Sequence, residues 1–458
     1  MIRIFFFLSV LLLSTSARAQ TIDRDSVGRV LHRISASMEI YHPAPYHYRD
    51  STELATLREQ LIAELPAEVD TLQLYRTLDR YVCAYNDAHT RVYGGAALHH
   101  SKQNSRVLPF DLTISGDSLS ILRDYRTAAA EDRTGQVITH LNGLPVASVL
   151  TAMSRHAHRE TARLDLAVLK RNFAYYHWLT YGDTSYELTL VDGTRLRAEG
   201  ISLNELYERR PEQSTPPIMD LSYPEDGVVL LTIRDFNASP RYFKKRFREI
   251  FGEIRQSGAT KLILDLRGHD GGDSRVGVEL ARYFSPVEFQ PFAYSEWRVT
   301  PAFRRAFKAT YLPGVLSKVA PLIRGFNPHL RAIYGAENHT NARVEYPVAK
   351  PYGSGRRFAG EVVLLMDEHT FSAGTCFAAM FRDYDMGTII GRESGNLASF
   401  HADALLRLPL PHGMVMRIST SYLVRPSGDE TMAPVQPDVR VAGDILGAVL
   451  RGDFSGKK

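Results

Sequence analysis

The stretch Leu364-Leu365-Met366-Asp367-Glu368-His369-Thr370-Phe371-Ser372-Ala373-Gly374-Thr375 decides the fold. An apolar run from Val362 to Met366 breaks into a polar turn, and Ser372 then opens a run of small residues that reads as a helix start. Uninterrupted apolar strands are those buried on both faces, as in parallel sheets covered by helices. A second strand end of this kind lies upstream, in Leu264-Asp265-Leu266-Arg267-Gly268-His269-Asp270-Gly271-Gly272. Between and before them the pattern predicts a strand over 227–233, a helix over 241–256, a strand over 261–266 and a helix over 275–284. The expectation is an α/β core with a mostly parallel sheet. Active sites in such sheets gather at the carboxyl ends of the strands. A serine at a helix start has unpaired N–H groups beside it that can hold a developing oxyanion, although such a serine alone also suits a helix N-cap. The glycine turn alone reads equally as a structural corner.

Toward the N-terminus the period changes. Leu112, Ile114, Leu119 and Ile121 alternate, and Asp192-Gly193 reads as a hairpin turn. Leu57, Leu61 and Leu65, then Leu72, Tyr75, Leu78 and Val82, recur at helical spacing. The chain therefore divides into an N-terminal helical part (20–105), a β-rich domain (106–205), a proline-containing linker (206–220) and the α/β core (221–445). A basic helical insertion near 291–357 carries eleven Lys/Arg against three Glu and reads as a solvated face rather than an anionic docking surface. Residues 1–19, with Arg3, an apolar run from Ile4 to Leu13 and Ala17-Arg18-Ala19, read as a signal peptide. The protein is expected to be periplasmic or secreted, without a membrane span.

A net charge of +4 on 458 residues argues against nucleic acid as a partner. Cys83 and Cys376 make no disulfide framework and read as buried thiols. Metal catalysis has no support: His99-His100 and the His156-x-His158 pair lack an evident third ligand, and no cofactor is expected.

Taken as an ordered set, LILDLRGHDGG (262–272) and VVLLMDEHTFSAGT (362–375) resemble the core motifs of the carboxy-terminal processing (tail-specific) serine peptidases. Leu231–Phe236, Gln436-Pro437-Asp438-Val439 and Asp87-Ala88-His89-Thr90 extend the likeness. The resemblance implies a crotonase/Clp-protease-like core, an N-terminal helical cap and a PDZ-like module in 106–205. It also implies a polypeptide substrate, Ser372 as nucleophile, and an oxyanion hole formed by Gly271, Gly272 and Ala373. The better-known branch of the family draws a lysine base from a loop after the serine, but Leu397 stands at that position and no lysine occurs between Lys350 and Lys457. A hydroxyl without a base is a poor nucleophile. The Asp-x-His-Thr element resembles the histidine-base, tricorn-core-like branch and makes His89 the expected base, its ordinary pKa being close to neutrality. His401 is the alternative base, and His369 and His269 are weaker competitors. Glu430 resembles the family's orienting glutamate, with Asp87 and Glu393 as other carboxylates; Ala88 replaces the serine that the branch carries beside its histidine. The expected function is an exported serine endopeptidase cleaving extended or unfolded polypeptides. A non-catalytic peptide- or hydrophobic-ligand-binding protein is the alternative, and a crotonase-type thioester enzyme a weaker third.

Overall fold

The protein is described here from a computed structural model. It describes residues 21–452 except 104, 117, 127–130, 158–159, 212–215, 313–324 and 326. The signal-peptide expectation for 1–19, and parts of the linker and of the basic insertion, lie outside the described residues.

Three helices come first: α1 (Arg24–Tyr41), α2 (Ser51–Ala63) and α3 (Thr71–Cys83), whose first turns are capped by the side chains of Asp23, Asp50 and Asp70. In α3 the residues at helical spacing, Leu74, Leu78, Tyr81 and Val82, are fully or almost fully buried. A short strand β1 (Arg91–Tyr93) leaves this layer. The β-rich segment follows with β2 (Phe110–Ser115), β3 (Ser118–Asp124), β4 (Val137–Leu141), helices α4 (Val146–Met153), α5 (Ala162–Arg171) and α6 (Phe173–Tyr181), then β5 (Ser185–Leu190) and β6 (Arg195–Glu199). Its strands run antiparallel in the order β6-β5-β4-β3-β2. The helical layer and this sheet share one hydrophobic cluster, so the first two segments fold around a common core.

The second core is a sheet in the order β7-β8-β9-β12-β13-β18, built from β7 (Met219–Glu225), β8 (Val228–Ile233), β9 (Lys261–Asp265), β12 (Glu361–Met366), β13 (Thr388–Gly391) and β18 (Val439–Arg440). Only the β7–β8 pair is antiparallel; every other pair in it is parallel. Alternate residues of the apolar strands serve opposite faces. Leu262, Leu264 and Leu364 pack with α7 (Pro240–Ser257), α8 (Ser274–Ala281) and α10 (Ala373–Asp383). Ile263, Val363 and Leu365 pack with α11 (Ile445–Arg451). Helix α7 shows why such a segment folds: Ser239 caps it, Pro240 opens it, Gly258 closes it at φ +69°, and Phe243, Phe247, Ile250, Phe251 and Ile254 form its buried stripe.

The 291–357 segment holds helices, over Pro301–Tyr311 and Pro328–Gly335, and also two strands that the expected helical insertion did not include. It supplies β10 (Tyr294–Val299), α9 (Pro301–Tyr311) and β11 (Thr340–Val344). The two strands join β14 (Phe400–Ala402) and β17 (Ser421–Val424) in a sheet ordered β11-β10-β17-β14. The alternation Ser295, Trp297, Val299 turns one face inward, a two-residue period that the charge count over 291–357 concealed. Finally, β15 (Leu406–Pro409) pairs with β16 (Val415–Ile418), and β16 pairs with β1, with Met416 opposite Val92. This pairing fixes the N-terminal layer against the strand ends of the second core.

Candidate active site

Two parallel strand ends meet in one corner. Thr370 Oγ1 donates to the Leu266 carbonyl at 2.8 Å and accepts the Asp367 N–H at 3.0 Å, while Asp367 Oδ1 accepts the Gly268 N–H at 2.9 Å. The polar turn after β12 thus spends its side chains on tying β9 to β12. Ser372 sits at the tip, at φ 51° and ψ −119°, a left-handed conformation that costs an L-residue about 1–3 kcal/mol. Its N–H donates to Asn396 Oδ1 at 2.5 Å, and Asn396 is fully buried.

His89 arrives from the other side. Asp87 Oδ1 accepts the His89 N–H at 2.9 Å, Asp87 Oδ2 takes the Thr90 hydroxyl and lies 3.2 Å from His42 Nε2, and Thr90 Oγ1 accepts the Ser419 N–H at 3.0 Å. The Asp-x-His-Thr element is therefore a turn pinned to the segment after β16. From it, His89 Nε2 lies 3.1 Å from Ser372 Oγ across 283 residues of sequence. The ring stacks between Phe371 and Phe400, with centroids 5.0 and 5.4 Å away and interplanar angles of 19° and 12°. Burial draws the imidazole below its ordinary pKa, opposed by Asp87, Asp403 and the His401 carbonyl, which favour the protonated ring. A neutral ring accepting from Ser372 at Nε2 carries its proton on Nδ1. Among the described residues that Nδ1 has no hydrogen-bond partner, although the His401 carbonyl favours the protonated ring.

The other sequence candidates fall elsewhere. Glu430 is exposed and accepts the Tyr294 hydroxyl, so the structure does not bring it to His89 Nδ1. Glu393 pairs with Arg163 at 3.2 Å and Arg440 at 3.9 Å. Asp87 is the carboxylate that meets the histidine's own turn; burial would raise its pKa, but the His42 hydrogen bond and the neighbouring histidines hold it below the ordinary value. His401 is buried among His42, His47, Tyr48 and Tyr422, its Nδ1 3.1 Å from the Tyr48 hydroxyl. Burial pushes its pKa well below the usual value. His269 Nδ1 accepts the Gly271 N–H at 3.1 Å, and burial lowers its pKa to about 4. The Gly271 N–H is thereby occupied.

Gly271 nonetheless borders the serine closely: a Cβ there would lie 2.7 Å from Ser372 Cβ. Phe236 donates to the Gly271 carbonyl and accepts from Asp273, which holds the turn in place, and the exposed Gly272 between them has no acceptor assigned to its N–H among the described residues. The same holds for Ala373 N–H, at the first position of α10. Leu397 is buried in an apolar cluster with Phe292, Cys376, Phe400 and Leu423. Cys83 and Cys376 are both buried and are not joined in a disulfide.

Sequence reasoning missed Asn396, adjacent to the position weighed for a lysine, and the two aromatic rings around His89. It also missed Glu160, whose Oε2 accepts from Ala88 N–H and Asn396 Nδ2 and whose Oε1 accepts from Leu397 N–H. Among the described residues no group of three His, Cys, Asp or Glu side chains is arranged to hold a metal ion.

A strained serine at a strand-to-helix corner, a histidine nitrogen on its hydroxyl and free amides beside it suit acyl transfer. Residues 227–441 match the model of peptidase family S41. The S41 match runs from the start of β8 through β18 and contains Ser372, while His89 lies outside it. Solved structures extend the likeness over the rest of the chain. A mutant of CPAF is 16% identical, with 92% of this chain and 94% of that chain covered and a TM-score of 0.66. Mature CPAF complexed with lactacystin is 14% identical, with coverages of 91% and 94% and a TM-score of 0.62. At these identities the likeness is one of fold. No curated protein matches the sequence. The family match thus covers the segment that holds Ser372, and the solved structures share the fold of the chain. Among the described residues no helix is long and apolar enough to cross a membrane.

Proposed function

We propose that this protein is an exported serine endopeptidase of the tail-specific type, with Ser372 as nucleophile and His89 as general base, acting on extended or unfolded polypeptide. The observation that carries the reading is the 3.1 Å approach of His89 Nε2 to Ser372 Oγ. In the reaction, Ser372 Oγ bonds to the scissile carbonyl carbon while its proton passes to His89 Nε2. The tetrahedral oxyanion is held by the N–H groups of Gly272 and Ala373, with Gly271 providing close approach rather than its own N–H. Collapse breaks the C–N bond, His89 returns the proton to the leaving amine, and water then hydrolyses the acyl ester by the reverse proton path. Removing one oxyanion donor costs about 10²–10³ in rate in such sites. The buried Leu397 at the lysine position supports a histidine base, as in the tricorn-like branch. The sheet over residues 106–205 serves as the PDZ-like module that receives an extended substrate end.

Intact-mass analysis of wild type, Ser372→Ala and His89→Ala after exposure to a fluorophosphonate, with hydrolysis of an unfolded protein in parallel, tests the assignment. One adduct lost in both variants together with proteolysis supports it. A folded wild type that neither labels nor cleaves overturns it in favour of a ligand-binding protein on the same scaffold.

A further inference from the structure

Glu160 has no role in the proposed proton path, yet its carboxyl touches both halves of the site. One oxygen accepts the Ala88 N–H at 3.2 Å, immediately before His89, and Asn396 Nδ2 at 2.9 Å; the other accepts the Leu397 N–H at 2.9 Å. Asn396 in turn accepts the Ser372 N–H through Oδ1. The residues beside Glu160 dock on the same loop: Thr161 Oγ1 donates to the Gly395 carbonyl at 3.1 Å, and Arg163 pairs with Glu393. Because residue 160 belongs to the β-rich segment, three separate stretches of chain converge on one carboxyl.

We infer that Glu160 is a positioning residue for the proposed Ser372–His89 site, its carboxylate holding the His89 turn and the Asn396–Leu397 turn at the spacing that keeps nucleophile and base in contact. The inference rests on the peptidase reading of that site. The three groups hydrogen-bonded to the carboxyl are all N–H donors, so its carboxylate form satisfies them, whereas a protonated oxygen or an amide turns a donor against a donor. Burial and the charge of Asp87 oppose ionisation and raise the pKa to about 8, while the hydrogen bonds from Leu397, Asn396 and Ala88 pull the other way. The titratable groups that face it are Asp87 in the His89 turn and Tyr48 in the segment after α1. The contact is therefore completed as pH rises through about 8, apart from the His89 step, which lies below its ordinary 6.5.

The test follows fluorophosphonate labelling of the mature protein against pH, with thermal unfolding and amide hydrogen exchange on the same samples. Wild type is expected to gain rate as pH passes about 8. Glu160→Gln is expected to lose that rise and to label roughly 10- to 100-fold more slowly, the effect usual for residues supporting a reactive group. Glu160→Asp, which keeps the acceptors, should recover part of it. Equal rates and equal pH profiles in wild type and Glu160→Gln overturn the inference. Should Glu160→Gln not fold, a wild-type profile with no alkaline rise overturns it equally. A wild type that labels at no pH defeats the serine-nucleophile reading instead. In that case faster exchange of the Ala88 and Leu397 amides in folded Glu160→Gln supports the holding role, and unchanged exchange rejects it.

Discussion

Gly271→Ala isolates the contact between the glycine turn and the nucleophile. Gly271 has φ +104°, and a Cβ built there lies 2.7 Å from Ser372 Cβ, 3.2 Å from its Oγ and 3.3 Å from the Phe371 carbonyl oxygen. The first distance is too short for any pair of carbons, so something must move. Positive φ costs an L-residue about 1–2 kcal/mol, and forcing a methyl into packed surroundings adds about 1–3 kcal/mol. The expected destabilisation is the sum, about 2–5 kcal/mol. The neighbours yield poorly: Phe371 N–H is held by the His269 carbonyl at 2.9 Å, and Ser372 N–H by Asn396. The displacement therefore falls on the serine side chain and its contact with His89. A misplacement of about 1 Å in such a geometry costs about 10²-fold in rate. Gly268→Ala is the control, because it also has positive φ, +71°, but nothing lies within 4 Å of a Cβ there. It should lose only the backbone share, about 1–2 kcal/mol, and label normally. Denaturant melts and fluorophosphonate labelling rates of both variants decide the matter. If Gly271→Ala labels at the wild-type rate and is no less stable than Gly268→Ala, the reasoning that places the turn against Ser372 is refuted.

Three further outcomes follow from the same geometry. His89→Ala should slow labelling about 10²- to 10⁴-fold with a melting temperature close to wild type, since general bases contribute on that scale and the side chain is only partly buried; a near-normal rate would move the search for the base to other groups. Leu397→Lys in the His89→Ala background should restore no labelling and should destabilise the fold, because the new ammonium enters the cluster of Phe292, Cys376, Phe400 and Leu423; recovered activity would show that the lysine geometry survives in this loop. The Glu160 carboxyl has a folded pKa of about 8 against 4.5 when free, so the folded state binds the extra proton between those values. Its stability contribution is fully present below 4.5 and is lost as pH rises to about 8, on the order of 5 kcal/mol at 1.36 kcal/mol per pKa unit. The stability difference between wild type and Glu160→Gln, followed by denaturant melts across that window, should fall with pH; a flat difference would contradict the desolvated carboxyl.

The second core was legible because its signals are local. The strand Glu361–Met366 covers the apolar run from Val362 to Met366, and α7 differs from the expected helix by one residue at each end, since buried parallel strands and an amphipathic helix leave patterns within single windows. The Asp192-Gly193 turn joins β5 and β6 as an alternating pattern around such a dipeptide implies. The strands of the 291–357 segment were not legible because β10 finds its second partner near residue 422, outside any window that charge counting covers, while the helices expected there are present. The shared core of the helical and β-rich segments is likewise non-local: Met416 and Ile418 of β16 lie in the same cluster as Leu31 and Phe110.

At the site itself, chemistry was easier to read than orientation. Ser372 and His89 are singled out by the motifs that carry the family resemblance, since residue type alone leaves sixteen histidines and reads the serine equally as a helix cap. What holds them does not stand out: Phe371 and Phe400 orient the imidazole by stacking, and any sequence with 21 phenylalanines hides that pair. The search for an orienting acid went to Glu430 by motif position, whereas the carboxylates that meet the site do so through the backbone, Asp87 at the His89 N–H and Glu160 at the Ala88 N–H. Both fix the main chain of the turn and neither reaches the ring. A histidine held in this way gains its alignment from the fold rather than from a directly bonded carboxylate, and its basicity is set by burial, opposed by the charges of Asp87 and Asp403 and by the His401 carbonyl. Replacing Phe400 with leucine should therefore slow the chemistry while leaving the ionisation of the base nearly where it was, a separation that a directly paired carboxylate would not allow.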